Sequence, residues 1–107
     1  MPKRLNTDWA TLVGYTAATF KPESPWTGPI TFQAKFFLPR PKSAKRGETH
    51  PLKRPDVDNL VNKLTDKLNG VFYEDDSQVV WLTATKEYAV EGRAGVEISV
   101  AKIQVKA

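Results

Sequence analysis

Four carboxylates stand at two points of one short stretch, Asp56 and Asp58 in RPDVDNL and Asp75 and Asp76 in YEDDSQVV. A helical pattern separates the two points. Adjacent carboxylates repel, so gathering Asp56, Asp58 and Asp76 without a counter-charge is costly unless a cation resides among them. Mg²⁺ is the natural occupant and Mn²⁺ its substitute, because these ions take oxygen ligands, keep several waters and bind through a few carboxylates plus a substrate phosphate. The chemistry such residues can do is to hold a divalent cation against a phosphodiester.

The first point can be placed on the backbone. Pro55 disfavours a helical conformation at Arg54, so the chain enters Asp56 extended or turning, and an apolar helix face begins near Val57 or Leu60. Side chains two residues apart share a side on extended backbone but diverge by about 200° inside a helix. This predicts Asp56 just before the helix and Asp58 at or near its N-cap. Taken alone, Asp-x-Asp at a helix start is equally ordinary capping. At the second point Asp76 abuts the strand that starts at Gln78 and is the better ligand candidate, while Glu74 and Asp75 are expected to face solvent in a polar turn. An EF-hand reading of DVDN fails, since the sixth position from Asp56 is Val61 rather than glycine and the twelfth is Lys67 rather than glutamate.

Charge and composition narrow the partners. Residues 1–54 hold ten Lys or Arg against three acids, whereas residues 55–107 hold six against nine, so the net +4 hides a basic half followed by an acidic site. Lys35, Arg40, Lys42, Lys45, Arg46, Lys53 and Arg54 fall within twenty residues, opposed there by Glu48. Such a cluster favours a phosphate backbone by releasing its condensed counterions, although a solvated loop uses the same residues for solubility. The 107 residues, 40% hydrophobic, suit one compact domain with a modest core. With no cysteine, disulfides, zinc-thiolate sites and thiol nucleophiles are excluded, and the lone His50 cannot build a multi-histidine metal site. No apolar run approaches a membrane span and the start MPKRLNTDW has no apolar signal core, so a cytoplasmic protein without membrane contact or small-molecule cofactor is expected.

These residues need elements to position them. Trp9, Leu12, Val13, Ala17 and Phe20 recur at helical spacing over residues 7–20, with Asn6 or Thr7 able to cap and Asp8 placed against the helix dipole. Residues 21–29 carry three prolines and Gly28 and form a connector. Residues 30–38 alternate as a strand with one buried face, and residues 39–53 read as a long exposed loop that carries most of the basic cluster. Leu60, Val61, Leu64 and Leu68 mark a second helix ending at Asn69-Gly70. Strands over 78–90 and 96–105 then close the chain as a hairpin. The sum is an α+β domain, a small mixed sheet with two helices packed on it and a C-terminal β-hairpin. Trp9 and Trp81 fall at apolar-phase positions and are expected in the core, with a packing role for Trp26 and a solvated His50.

The stretch RPDVDNLVNKLTDKLNGVFYEDDSQVV resembles the signature of the RusA-type endodeoxyribonucleases, the phage and bacterial resolvases of four-way Holliday junctions. The likeness extends upstream into FFLPRPKSAKR and loosely to the first helix. It implies a RusA-like fold, a homodimer, and Mg²⁺-dependent paired nicking of branched DNA during recombination and repair, with Asp56, Asp58 and Asp76 on the catalytic, metal-binding positions. The family usually places a lysine four residues after the second aspartate, where this chain has Asn62 followed by Lys63. A one-residue shift turns a side chain by about 100°, so Lys63 reaches a phosphate through its long stem or not at all. Family members also commonly begin with a strand ahead of the first helix. This chain starts almost at that helix, so one domain over residues 1–107 without the front strand is expected, leaving a sheet edge open.

On this reading Asp56, Asp58 and Asp76 hold the metal and Lys63, with Lys67, neutralises developing charge. Arg40, Lys42, Lys45, Arg46, Lys53 and Arg54 hold the arms of the junction through their phosphates. Two alternatives stand beside it: a branched-DNA-binding module of the same fold that is catalytically weak or inactive, motivated by Asn62, and a protein-interaction domain that docks through the open sheet edge.

Overall fold

A computed structural model describes residues 2–103, with side chains from Trp9 onward. In chain order it contains helix α1 (Pro2–Ala18), strand β1 (Ile30–Leu38), helix α2 (Val57–Lys67), a single 3₁₀ turn (Asp76–Gln78), strand β2 (Val79–Tyr88) and strand β3 (Gly95–Lys102). This is the small α+β fold expected, two helices on a mixed three-stranded sheet. The first helix starts earlier than the expected 7–20 and ends two residues sooner, so the cap foreseen at Asn6 or Thr7 falls inside it. The side chains of those residues and of Asp8 lie outside the described residues, as do positions 104 and 105 of the last expected strand.

The strand order is β2-β1-β3. β1 pairs in parallel with β2 and antiparallel with β3, so β2 and β3 run in opposite directions but are separated by β1 and share no ladder. The closing hairpin is therefore corrected to two strands that flank the first. The physical reason lies in β1, whose Ile30, Phe32, Ala34 and Phe36 are all buried, the richest apolar row of the three strands. Such a strand gains most from neighbours on both edges. A parallel partner also needs a crossover, and residues 39–78 with α2 supply it.

The core is one cluster between the sheet and the helices, made of that row of β1 with Leu60, Val61, Leu64 and Leu68 of α2 and Tyr73. Trp9 of α1 packs edge-on against Phe36 with ring centroids 5.9 Å apart, as its phase predicted. Trp81 does not join the core. It pairs with Thr31 on the face of the sheet turned away from Phe32 and the helices, and on this edge strand it is left 64% exposed. Trp26 packs edge-on with Phe72, and its backbone N–H donates to the Phe72 carbonyl at 2.9 Å, the packing role expected of it. No helix among the described residues is long and apolar enough to cross a membrane.

Candidate active site

Asp56 is the N-cap of α2, with extended backbone (φ −72°, ψ 142°), and its carbonyl accepts the N–H of Leu60 at 3.1 Å. Its side chain makes no capping hydrogen bond. Asp58 stands one residue into the first turn rather than at the cap, because Pro55 restricts only the residue before it and the helix is free to start at Val57. Both carboxylates are exposed, and the start of a helix favours anions through its dipole and its unpaired N–H groups. Arg54 reaches the Asp56 carboxylate at 3.5 Å in a solvent-exposed pair of the kind that contributes little to stability.

Asp76 lies elsewhere. A crossover helix runs against the strands it joins, so the first turn of α2 sits at the end where β1 stops and its last turn at the end where β2 begins. With 11 residues at about 1.5 Å each, α2 is about 16 Å long, which separates the end that carries Asp56 from the end near which β2 begins. The neighbourhood of Tyr73 confirms the placement. Its hydroxyl donates to the Thr65 carbonyl in the last turn of α2 at 2.7 Å, and it feels the charges of Asp76, Asp66 and Asp75. Burial first, and those three carboxylates after it, push the Tyr73 pKa well above the ordinary tyrosine range. Among the described residues no group of three His, Cys, Asp or Glu side chains converges. Asp56 and Asp58 thus both stand at the head of α2, and Asp76 follows its far end.

Asp75 is exposed in the polar turn, as expected, and it also caps that turn. It accepts the Ser77 N–H at 3.0 Å, and its hydrogen bonds from Ser77 hold its pKa below the usual carboxylate value. Gln78 closes the same motif from the other side. Its Oε1 accepts the N–H groups of Glu74 and Asp75, and its Nε2 donates to the carbonyls of Trp26 and Gly28, each at 2.9 Å. The connector over residues 21–29 is pinned through this amide to the turn that carries Asp76. Sequence reasoning passed over Gln78, although Asp-x-x-Gln before an apolar run is a capping-box signature.

The basic residues divide. Arg40 is spent inside its own loop: its guanidinium donates to the carbonyls of Lys45 and Glu48 and lies 5.2 Å from the centre of the Tyr88 ring. The loop over 39–53 is therefore folded, and the N–H of Tyr88 anchors it further through the Thr49 carbonyl at 3.0 Å. Lys42, Lys45, Arg46, Lys53 and Arg54 have exposed side chains. On α2, Asn62 is exposed and spaced to share a face with Asp58 and Asp66, whereas Lys63 is turned toward a groove lined by Trp9, Val13, Pro55 and Gly95. Lys67 also faces α1, its Cβ 3.5 Å from where a side chain at Gly14 would begin.

The donor set at the head of α2 suits a hard divalent ion in part. Two carboxylates that are not consumed by capping, at a helix start open to solvent, leave room for waters and a phosphate oxygen, which is how Mg²⁺ is usually held.

The family model described as Endodeoxyribonuclease RusA matches residues 1–100. An uncharacterised protein of Bacillus subtilis (strain 168), YqaN, is 40% identical, with 80% of this chain and 68% of that protein covered. A crossover junction endodeoxyribonuclease rusA of Lactococcus phage r1t is 38% identical over 66% of this chain and 54% of its own length, so this chain spans about half of that relative. No solved structure matches. The match across almost the whole chain places this protein in the RusA endodeoxyribonuclease family.

Proposed function

We propose that the protein is a Mg²⁺-dependent endodeoxyribonuclease that nicks four-way DNA junctions as a homodimer, in recombination and repair within the cytoplasm of a bacterial or phage-infected cell. The observation that carries this reading is the head of α2, where Asp56 caps the helix by its backbone while its carboxylate, beside Asp58, stays available for a ligand. A phage relative 38% identical to this chain carries the name of a crossover junction endodeoxyribonuclease.

Asp56 and Asp58 hold the cation and orient it toward a phosphate entering at the helix start. A cation held by Asp56 and Asp58 would supply the positive charge that polarises a scissile phosphate and activates water for its hydrolysis. Asp76, about a helix length away in its own chain, joins this centre from the second copy of the dimer. Two copies related by a two-fold axis with α2 or β2 antiparallel bring the Asp56 end of one beside the Asp76 end of the other, and such pairing is self-complementary. The free edge of β2 supports it with apolar surface, since Val80, Trp81 and Leu82 are 65%, 64% and 52% exposed beside Asp76. The exposed Lys42, Lys45, Arg46, Lys53 and Arg54 hold the DNA arms, giving binding that is steep in salt. Lys63 and Lys67 lie on the α1 side of α2 and reach a phosphate only by their stems.

A second reading, a branched-DNA-binding module without catalysis, is favoured by one observation: Asn62, uncharged, occupies the exposed face of α2 that Asp58 shares. A synthetic four-way junction decides between the two. The nuclease gives symmetric nicks with Mg²⁺ and none with EDTA; the module binds the junction in both and cuts it in neither, and that outcome would sink the catalytic reading.

A further inference from the structure

Lys86 lies in β2 opposite Phe36, which is buried against the helices, so its side chain projects to the helix side of the sheet. Its ammonium donates to the carbonyl of Lys53 at 2.8 Å and to that of Pro55 at 3.0 Å. Among the described residues these are the hydrogen bonds that tie residues 51–55 to the rest of the protein. The neighbouring ties are the Thr49 carbonyl on one side and the Asp56 carbonyl, already part of α2, on the other.

The consequence bears on Asp56. A carboxylate at an N-cap is usually oriented by accepting an N–H of the first turn, and Asp56 makes no such bond. Its carboxylate meets the exposed Arg54 side chain at 3.5 Å, and Arg54 belongs to the same segment, so its direction follows the backbone that delivers both, which is gripped at Pro55, one peptide away, by a half-buried cation. Asp58 is fixed independently by being inside the helix. We infer that Lys86 is a positioning residue: by clamping the Lys53 and Pro55 carbonyls it holds the Asp56 carboxylate in register with Asp58, so that the pair binds a divalent cation as a unit. This rests on the reading of Asp56 and Asp58 as metal ligands.

Mutation of Lys86 to Met removes both donors while keeping most of the stem, and Lys86→Arg restores donors and charge. Three readouts on the full chain separate the possibilities. Trypsin cleavage after Lys53, followed by mass spectrometry, accelerates about tenfold in Lys86→Met, because loss of two charge-assisted bonds opens the segment. Mn²⁺ affinity of the metal-free protein, titrated by calorimetry, falls about tenfold in Lys86→Met and recovers in Lys86→Arg, the size typical of losing an outer-shell support. The Mg²⁺ concentration for half-maximal nicking rises in parallel while the KM for the junction holds. Unchanged trypsin and Mn²⁺ values in a folded Lys86→Met protein overturn the inference, as does faster trypsin cleavage with unchanged Mn²⁺ affinity. If the wild type neither binds Mn²⁺ nor nicks a junction, the metal-site reading has failed, and the positioning role falls with it even where trypsin still detects the clamp.

Discussion

The Tyr73 hydroxyl donates to the carbonyl of Thr65 at 2.7 Å, joining the segment after α2 to the last turn of that helix from a fully buried position. Tyr73 thereby fixes the return of the chain toward Asp76. Burial, aided by Asp76, Asp66 and Asp75, raises its pKa above the ordinary 10.0. The folded state favours the protonated phenol, so this contribution to stability is complete below pH 10.0 and is lost as pH rises from there toward the raised value. In urea unfolding, Tyr73→Phe is expected to cost about 1 kcal/mol at neutral pH. The loss stays small because the Thr65 carbonyl keeps the N–H of Leu68 at 3.3 Å. The gap between wild type and variant should narrow above that pH, and a constant gap would show that Tyr73 does not titrate as described.

Gln78 makes four hydrogen bonds through one amide, joining two elements about fifty positions apart in sequence. Gln78→Ala is expected to lose about 2 kcal/mol of stability, since the site is partly wet and water replaces some of the bonds. Gln78→Glu retains the acceptors but sets a carboxylate against the Trp26 and Gly28 carbonyls, so it should be no more stable than the alanine variant. Thermal melts of the three proteins measure this, and a glutamate variant as stable as wild type would contradict the assignment of the amide.

Subunit mixing tests how Asp76 reaches Asp56. Asp56→Asn and Asp76→Asn should each abolish Mg²⁺-dependent nicking with little change in melting temperature, since both carboxylates are at least half exposed to solvent or lie in a turn. In a dimer with composite sites, one of each subunit rebuilds a single intact site. Unfolding the two variants together and refolding them should therefore restore nicking of one strand per junction. A mixture as inactive as its parents points to sites contained within one chain.

Arg40 and its basic neighbours should behave differently. Replacing Lys42, Lys45 and Arg46 together by alanine removes three exposed cations and should lower the slope of log affinity against log salt by roughly 2 to 3 without changing the melting temperature. Arg40→Ala instead breaks two carbonyl contacts and the stacking on Tyr88, so it should loosen the loop and lower stability by about 1 to 2 kcal/mol. Filter binding across a salt series, beside thermal melts, distinguishes them; an Arg40 variant with wild-type stability and a reduced salt slope would reverse the assignment.

Much of this was legible in residue order alone. The alternation of Ile30, Phe32, Ala34 and Phe36 and the spacing of Leu60, Val61, Leu64 and Leu68 report burial on one face, and burial follows directly from local periodicity. Pro55 before Asp56 sets the start of α2 to within two residues, because the restriction is steric and local. The acidic motifs and the basic loop likewise mark the candidate cation and phosphate contacts by residue type.

What local pattern cannot carry is which strand neighbours which, and which groups meet across the fold. The exposure of Trp81 depends on its strand being an edge, and an edge is a property of the whole sheet. The use of Arg40 inside its loop, and of Lys86 on the segment before Asp56, depends on carbonyls that residue types do not reveal. The acids themselves show the limit best. Sequence alone singled out Asp56, Asp58 and Asp76 as the candidate metal ligands, by residue type and spacing; the parallel crossover of β1, α2 and β2 decided that Asp76 stands at the opposite end of the helix, because a helix joining parallel strands must run back along the sheet.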